Sequence, residues 1–191
     1  MKLVLATHND GKTVEMQHAL SYLPVEVLTL KHFPQIGDIP ETGSTLLENA
    51  FIKAETVYRE TGIPSLADDT GLEIKALGGE PGVFSARYAG EQATFDDNCN
   101  KVLSKLTQAG TSDRSACFRT VIAFVNGAEK LHCEGSVDGE IIDKKITYFV
   151  QSSTEKKIVP NFLINKNRSF ISLWIVKSAK YIFTLIFSLT L

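Results

Sequence analysis

A chain of 191 residues with 43% hydrophobic and 22% charged side chains has enough apolar material for one well-buried domain and is short for two. Its formal charge of −2 excludes an overall basic field for nucleic acid, and Cys99, Cys117 and Cys133 are too widely spaced for a disulfide framework or a zinc pattern. A reducing, cytoplasmic setting is the expectation, and the N-terminal apolar run, Leu3 to Thr7 at its most generous, is too short for the core of a signal peptide.

In chain order, Leu3-Val4-Leu5-Ala6 is a short continuous apolar run of the kind that forms a strand buried on both faces, and Val14 to Leu23 then carries apolar residues at helical spacing. Thr45 and Glu48 make a capping box. Behind it Leu46, Leu47, Ala50, Phe51, Ala54, Val57 and Tyr58 form one apolar helix face, which Gly62 ends. Ile63 to Ala67 reads as the next strand, Leu72-Ile74-Ala76 as a separate half-exposed strand, and Thr94 with Asp97 as the start of a helix through Leu106. Ala116 to Val125 and Leu131 to Ile142 complete the strands, so the mixture predicts an α/β or α+β sheet with helices packed on it.

Beyond about residue 143 the composition changes. All thirteen glycines lie at or before Gly139, and from Lys144 onward eight Lys or Arg face one acid, Glu155, so this segment carries +7 and the remainder −9. The end of the chain, Ser169 to Leu191, is apolar, but Lys177 and Lys180 interrupt it. The eleven residues after Lys180 fall short of the roughly 17–25 needed to span a bilayer, which counts against a membrane anchor.

Three stretches carry chemistry. Asp68 and Asp69 sit side by side where the strand reading ends, and two like charges in such a place repel unless a cation or strong donors separate them; a hard dication with oxygen ligands, Mg²⁺, would do so. Taken alone, Asp68-Asp69-Thr70-Gly71 also reads as a solvated turn. In residues 6–15, Thr7, His8, Asn9, Asp10 and Gly11 lead from a buried strand into a helix that starts near Lys12 or Thr13, so helix N-terminal amides and a lysine converge where a polyphosphate could bind. The Walker spacing is absent, and an ordinary strand-to-helix turn with an exposed lysine is the competing reading. Glu41, ahead of a glycine-containing turn, is a candidate metal ligand, and Lys53, two turns into the next helix, a candidate phosphate contact.

Together these stretches resemble the inosine triphosphate pyrophosphatase-like family, the noncanonical purine nucleoside triphosphate pyrophosphatases. The resemblance runs in order through Thr7-His8-Asn9-Asp10-Gly11-Lys12 with Glu15, Glu41-Thr42-Gly43, Glu48-Asn49-Ala50 with Lys53-Ala54, Ala67-Asp68-Asp69-Thr70-Gly71-Leu72, and Leu77 to Tyr88. It continues to Phe118-Arg119-Thr120 and Glu134-Gly135, covering about residues 2–142. It implies an elongated α/β mixed sheet with flanking helices, two lobes around a nucleotide cleft, and a homodimer. The implied activity is hydrolysis of ITP, dITP or XTP to the monophosphate and pyrophosphate with Mg²⁺. In the implied site Asp69 is the carboxylate that activates water, Glu41, Asp68 and Asp69 hold the metal, and Thr70 touches substrate. Thr7, His8, Asn9, Asp10, Gly11, Lys12 and Lys53 contact the substrate, mainly through its phosphates.

The resemblance stops after Asp143. The family's Gly-Phe-Gly-Tyr-Asp-Pro stretch and its later Ser-His-Arg stretch, which read the base, have no counterpart, and the last histidine is His132. This predicts a domain over 1–143 that is incomplete and a tail over 144–191 translated out of frame or replaced by rearrangement. Two other functions stay open at this level: a catalytically inactive nucleotide-binding remnant, and a house-cleaning pyrophosphatase for other modified nucleotides.

Overall fold

The computed structural model describes residues 1–143 in full and the backbone of residues 162–164. The remaining tail, and with it the reading of a displaced frame and of an apolar terminal segment, lies outside the described residues.

The chain begins with β1 (Lys2–Leu5), whose Leu3, Val4 and Leu5 are fully buried, as the unbroken apolar run requires. Helix α1 (Asp10–Leu20) starts at Asp10, earlier than the sequence suggests, because Asn9 caps it: Asn9 Oδ1 accepts from Lys12 N. Strand β2 (Glu26–Thr29) follows, a short element that periodicity did not mark. Helix α2 (Leu46–Thr61) has the expected capping box at Thr45 and Glu48 and ends at Gly62 in the left-handed conformation, φ 65°.

Strand β3 (Ser65–Ile74) is one continuous ten-residue strand. Two strands separated by a turn or strand end at Asp68-Asp69-Thr70-Gly71 were expected; those residues lie instead within the ladder, and Ala76 falls in a 3₁₀ turn over Lys75–Leu77. The strand runs on because ammonium groups reach both aspartates, which removes the need for water at the carboxylates. The short β4 (Pro81–Gly82), α3 (Phe95–Gln108), β5 (Ser115–Asn126), β6 (Glu129–Ile141) and β7 (Phe162–Ile164) complete the described elements. Helix α3 is opened by the capping box of Thr94 and Asp97, as the sequence predicts.

The strands form one mixed sheet in the order β2-β1-β3-β5-β6-β7, with β4 pairing with β3 off that path. Strand β1 pairs in parallel with β2, Leu3 opposite Val27, and with β3, Val4 opposite Ser65. Strand β7 pairs antiparallel with β6, Glu140 opposite Leu163.

Two compact units share these strands. The first holds residues 1–70 and 120–135 of the described chain, around a core of Leu3, Leu5, Met16, Ala19, Leu20, Leu66, Ile122 and Phe124. The second holds residues 71–119 and 136–143 with β7, and its core is Ile74, Tyr88, Val102, Leu106, Ala116 and Ile141. Cys99, Cys117 and Cys133 form no disulfide with one another.

Candidate active site

The parallel pairing of β1 with β3 sets the loop after β1 beside the aspartates of β3. That loop is tied internally: Asn9 N donates to Thr7 Oγ1 at 3.2 Å, and Lys12 N to Asn9 Oδ1 at 3.1 Å. The first turn of α1 then carries Lys12 to β3, where its Nζ lies 2.5 Å from Asp68 Oδ2. At Gly11 a Cβ would come within 3.2 Å of Asn9 Oδ1, so the cap favours a residue without one. His8 and Asp10 turn elsewhere. His8 Nε2 donates to Gly37 O at 3.1 Å, and Asp10 pairs at the surface with Lys31 at 2.8 Å.

Helix α2 supplies the second cation. Lys53 Nζ lies 2.9 Å from Glu41 Oε1 and 2.8 Å from Asp69 Oδ1, with the lysine and Asp69 side chains only 12% and 9% exposed. Burial raises the Asp69 carboxyl above its ordinary range, outweighing the attraction of Lys53; Glu41 pushes it the same way and Lys12 opposes. Burial alone would depress the Lys53 ammonium, but the charges and hydrogen bonds of Asp69 and Glu41 turn it upward. Three carboxylates (Glu41, Asp68, Asp69) share two ammonium groups (Lys12, Lys53), so the cluster holds a surplus negative charge.

Thr70 closes the constellation. Its Oγ1 lies 3.4 Å from Asp68 Oδ2 and 3.0 Å from the hydroxyl of Thr120 on β5. Sequence reasoning placed Thr120 in a family stretch and gave it no role, because the pairing joins residues fifty positions apart. It likewise gave no role to Asn49 of the stretch Glu48-Asn49-Ala50, which is fully buried beneath the Glu41 loop, and it missed Ser65, whose hydroxyl donates to Ala54 O at 2.6 Å and fastens β3 to α2.

Among the described residues no group of three or more His, Cys, Asp or Glu side chains forms a ready-made metal cage. A hard dication nevertheless suits the cluster on two counts. The carboxylate surplus calls for one, and Asp68 Oδ1 is a buried acceptor with no hydrogen-bond partner among the described residues.

Residues 3–148 match the Ham1 family. The chain belongs to the Ham1 family. The match agrees with the resemblance carried by the ordered motifs, and it ends near the point where composition changes. This Ham1 chain is 47% identical over 144 residues to a dITP/XTP pyrophosphatase of Coxiella burnetii, a stretch covering 74% of this chain and 72% of that protein. It is 43% identical over 143 residues to the dITP/XTP pyrophosphatase of Thermoanaerobacter pseudethanolicus, with 75% and 72% covered. Among solved structures, a HAM1 protein from Coxiella burnetii superposes with a TM-score of 0.82 at 36% identity, covering 96% of this chain and 98% of that one. The Staphylococcus aureus Ham1 protein gives a TM-score of 0.74 at 35% identity, with 87% and 82% covered. The mixed α/β fold of this Ham1 chain is therefore the fold of its family.

Proposed function

We propose that this chain hydrolyses noncanonical purine nucleoside triphosphates (ITP, dITP and XTP) to the monophosphate and pyrophosphate, with Mg²⁺ as cofactor. The observation that carries the reading is the buried Asp68-Asp69 pair on β3 with Glu41 beside it, three carboxylates met by only two ammonium groups, Lys12 from α1 and Lys53 from α2. The dITP/XTP pyrophosphatases among its relatives support it, and a hydrolase is the coarser statement that their names carry to this chain.

The chain's own residues divide the work. The loop of Thr7, Asn9 and Gly11 offers the N-terminal turn of α1 to a triphosphate, and Lys12 and Lys53 supply the charge that steadies departing pyrophosphate. Glu41, Asp68 and Asp69 would hold Mg²⁺, which supplies charge neutralisation on the triphosphate when bound. Asp69, its affinity for a proton raised by burial, accepts the proton of the attacking water as the α–β anhydride bond breaks. Thr70, held by Thr120, is placed to contact substrate. His8 and Asp10 have outward partners and contribute through the loop's backbone.

A cytoplasmic homodimer is part of the same proposal. Three cysteines that form no disulfide suit a reducing compartment, and among the described residues no helix is long and apolar enough to cross a membrane. The test is pyrophosphate release from ITP, dITP and XTP against ATP and GTP, with and without Mg²⁺. Selective, Mg²⁺-dependent release supports the reading, and orthophosphate as the product or indifference to the base overturns it. One observation favours a second reading, an inactive nucleotide-binding remnant: the family's base-reading stretches are missing after Asp143. Nucleotide binding without pyrophosphate release would select it.

A further inference from the structure

Gly43, Ser44 and Thr45 present three successive backbone N–H groups to the start of α2. Glu48 Oε2 accepts from Ser44 N at 2.6 Å and Thr45 N at 3.2 Å, the ordinary work of a capping box. Gly43 N does something different. It donates to Asn49 Oδ1 at 2.8 Å, and Asn49 is fully buried. Because the loop provides the donor, the amide oxygen must face it, which leaves Asn49 Nδ2 buried with no acceptor among the described residues. A donor in that state detracts from stability, so support of the fold does not explain the side chain. The fit is equally close from the loop's side: a Cβ on Gly43 would sit 2.6 Å from Glu48 Cβ and 2.8 Å from Asn49 Oδ1.

The spacing gives this clasp its meaning. Glu41 lies two residues before Gly43, and Asn49 lies four residues before Lys53, on the same face of α2. One helix face thus grips the loop twice, at its backbone through Asn49 and at its carboxylate through Lys53, whose Nζ also holds Asp69. The geometry points to Asn49 as a positioning residue that sets the Glu41 carboxylate against Lys53 and Asp69 by holding the Gly43 backbone. A neutral amide does so without adding charge to a cluster already negative. The consequence for turnover rests on the pyrophosphatase reading; the positioning itself does not.

The experiment is a double-mutant cycle of Asn49→Ala and Glu41→Ala, measuring kcat/KM for ITP in full-length protein corrected for folded fraction by circular dichroism. If Asn49 acts through Glu41, Asn49→Ala lowers kcat/KM about tenfold in the wild-type background and less than about twofold in Glu41→Ala. Equal factors in both backgrounds, or no loss in folded Asn49→Ala, overturn the proposal. Should Asn49→Ala not fold, Gly43→Ala breaks the same clasp from the loop and is read in the same cycle. Absence of wild-type turnover would sink the pyrophosphatase reading and leave the positioning claim to a crystal structure of whichever clasp variant folds. There, a Glu41 carboxylate gone from its 2.9 Å contact with Lys53 supports the claim, and an unmoved one overturns it.

Discussion

In the first unit Lys53 joins Glu41 and Asp69 with little side-chain exposure, while in the second unit Lys105 joins Glu80 on the surface, with side chains 38% and 49% exposed. Each joins a lysine to a carboxylate; the inner lysine is shared by a second carboxylate, whereas at the outer pair a hydroxyl adds to the contact, Tyr88 donating to Glu80 Oε2 at 2.5 Å. Their behaviour is opposite. The hydrogen bond from Lys105 lowers the Glu80 carboxyl, as an ion pair in water does, whereas burial raises Asp69 despite its lysine. A surface pair therefore ties α3 to the turn before β4, and a buried lysine shared by two carboxylates becomes a site hungry for a proton or a cation.

That contrast can be broken in several places. Asp69→Asn keeps the shape of the inner cluster and removes its base, so kcat/KM for ITP should fall about 10²–10⁴-fold in a steady-state pyrophosphate assay. Lys53→Met leaves Glu41 and Asp69 sharing no ammonium; it should cost about 10²-fold in turnover and, in urea melts at pH 7, about 3 kcal/mol of stability. The stability loss should shrink as the pH is lowered, because Asp69, raised by burial, takes up a proton more readily than an exposed carboxylate. Mg²⁺ at a hundredfold excess over its Kd should stabilise the wild type by about 2.7 kcal/mol in thermal melts, and Asp68→Asn should remove most of that gain. A carboxyl raised by burial binds its proton more tightly folded than unfolded. Above the unfolded value of about 3.9 and up to the raised folded value, it costs stability as pH rises. Metal-free Asp69→Asn should accordingly gain on wild type across that window and hold the advantage above it. Lys105→Ala, the outer counterpart, should leave turnover within about twofold and the melting temperature nearly unchanged.

What the sequence disclosed follows the range of the interactions. The capping boxes at Thr45 and Thr94, the stop at Gly62 and the buried run of β1 are local, and each is found where the pattern predicts. Strand β3 defeated the pattern because Asp68 and Asp69 look like a turn until Lys12 and Lys53, more than ten residues away in either case, neutralise them. Strand β2 is four residues long and too short to show a period. The carboxylates and lysines of the site were legible as types in a known order. The roles of Asn49 and Thr120 were not, since each depends on one tertiary hydrogen bond that no local pattern announces.

The central claim is that the inner cluster performs chemistry and the outer one does not. Its most direct test is Mg²⁺-dependent pyrophosphate release from ITP by the wild type, Asp69→Asn and Lys105→Ala at equal folded concentration. The account predicts turnover by the wild type and Lys105→Ala and its near-complete loss in Asp69→Asn. Undiminished turnover by Asp69→Asn, or none by a folded wild type, would contradict it.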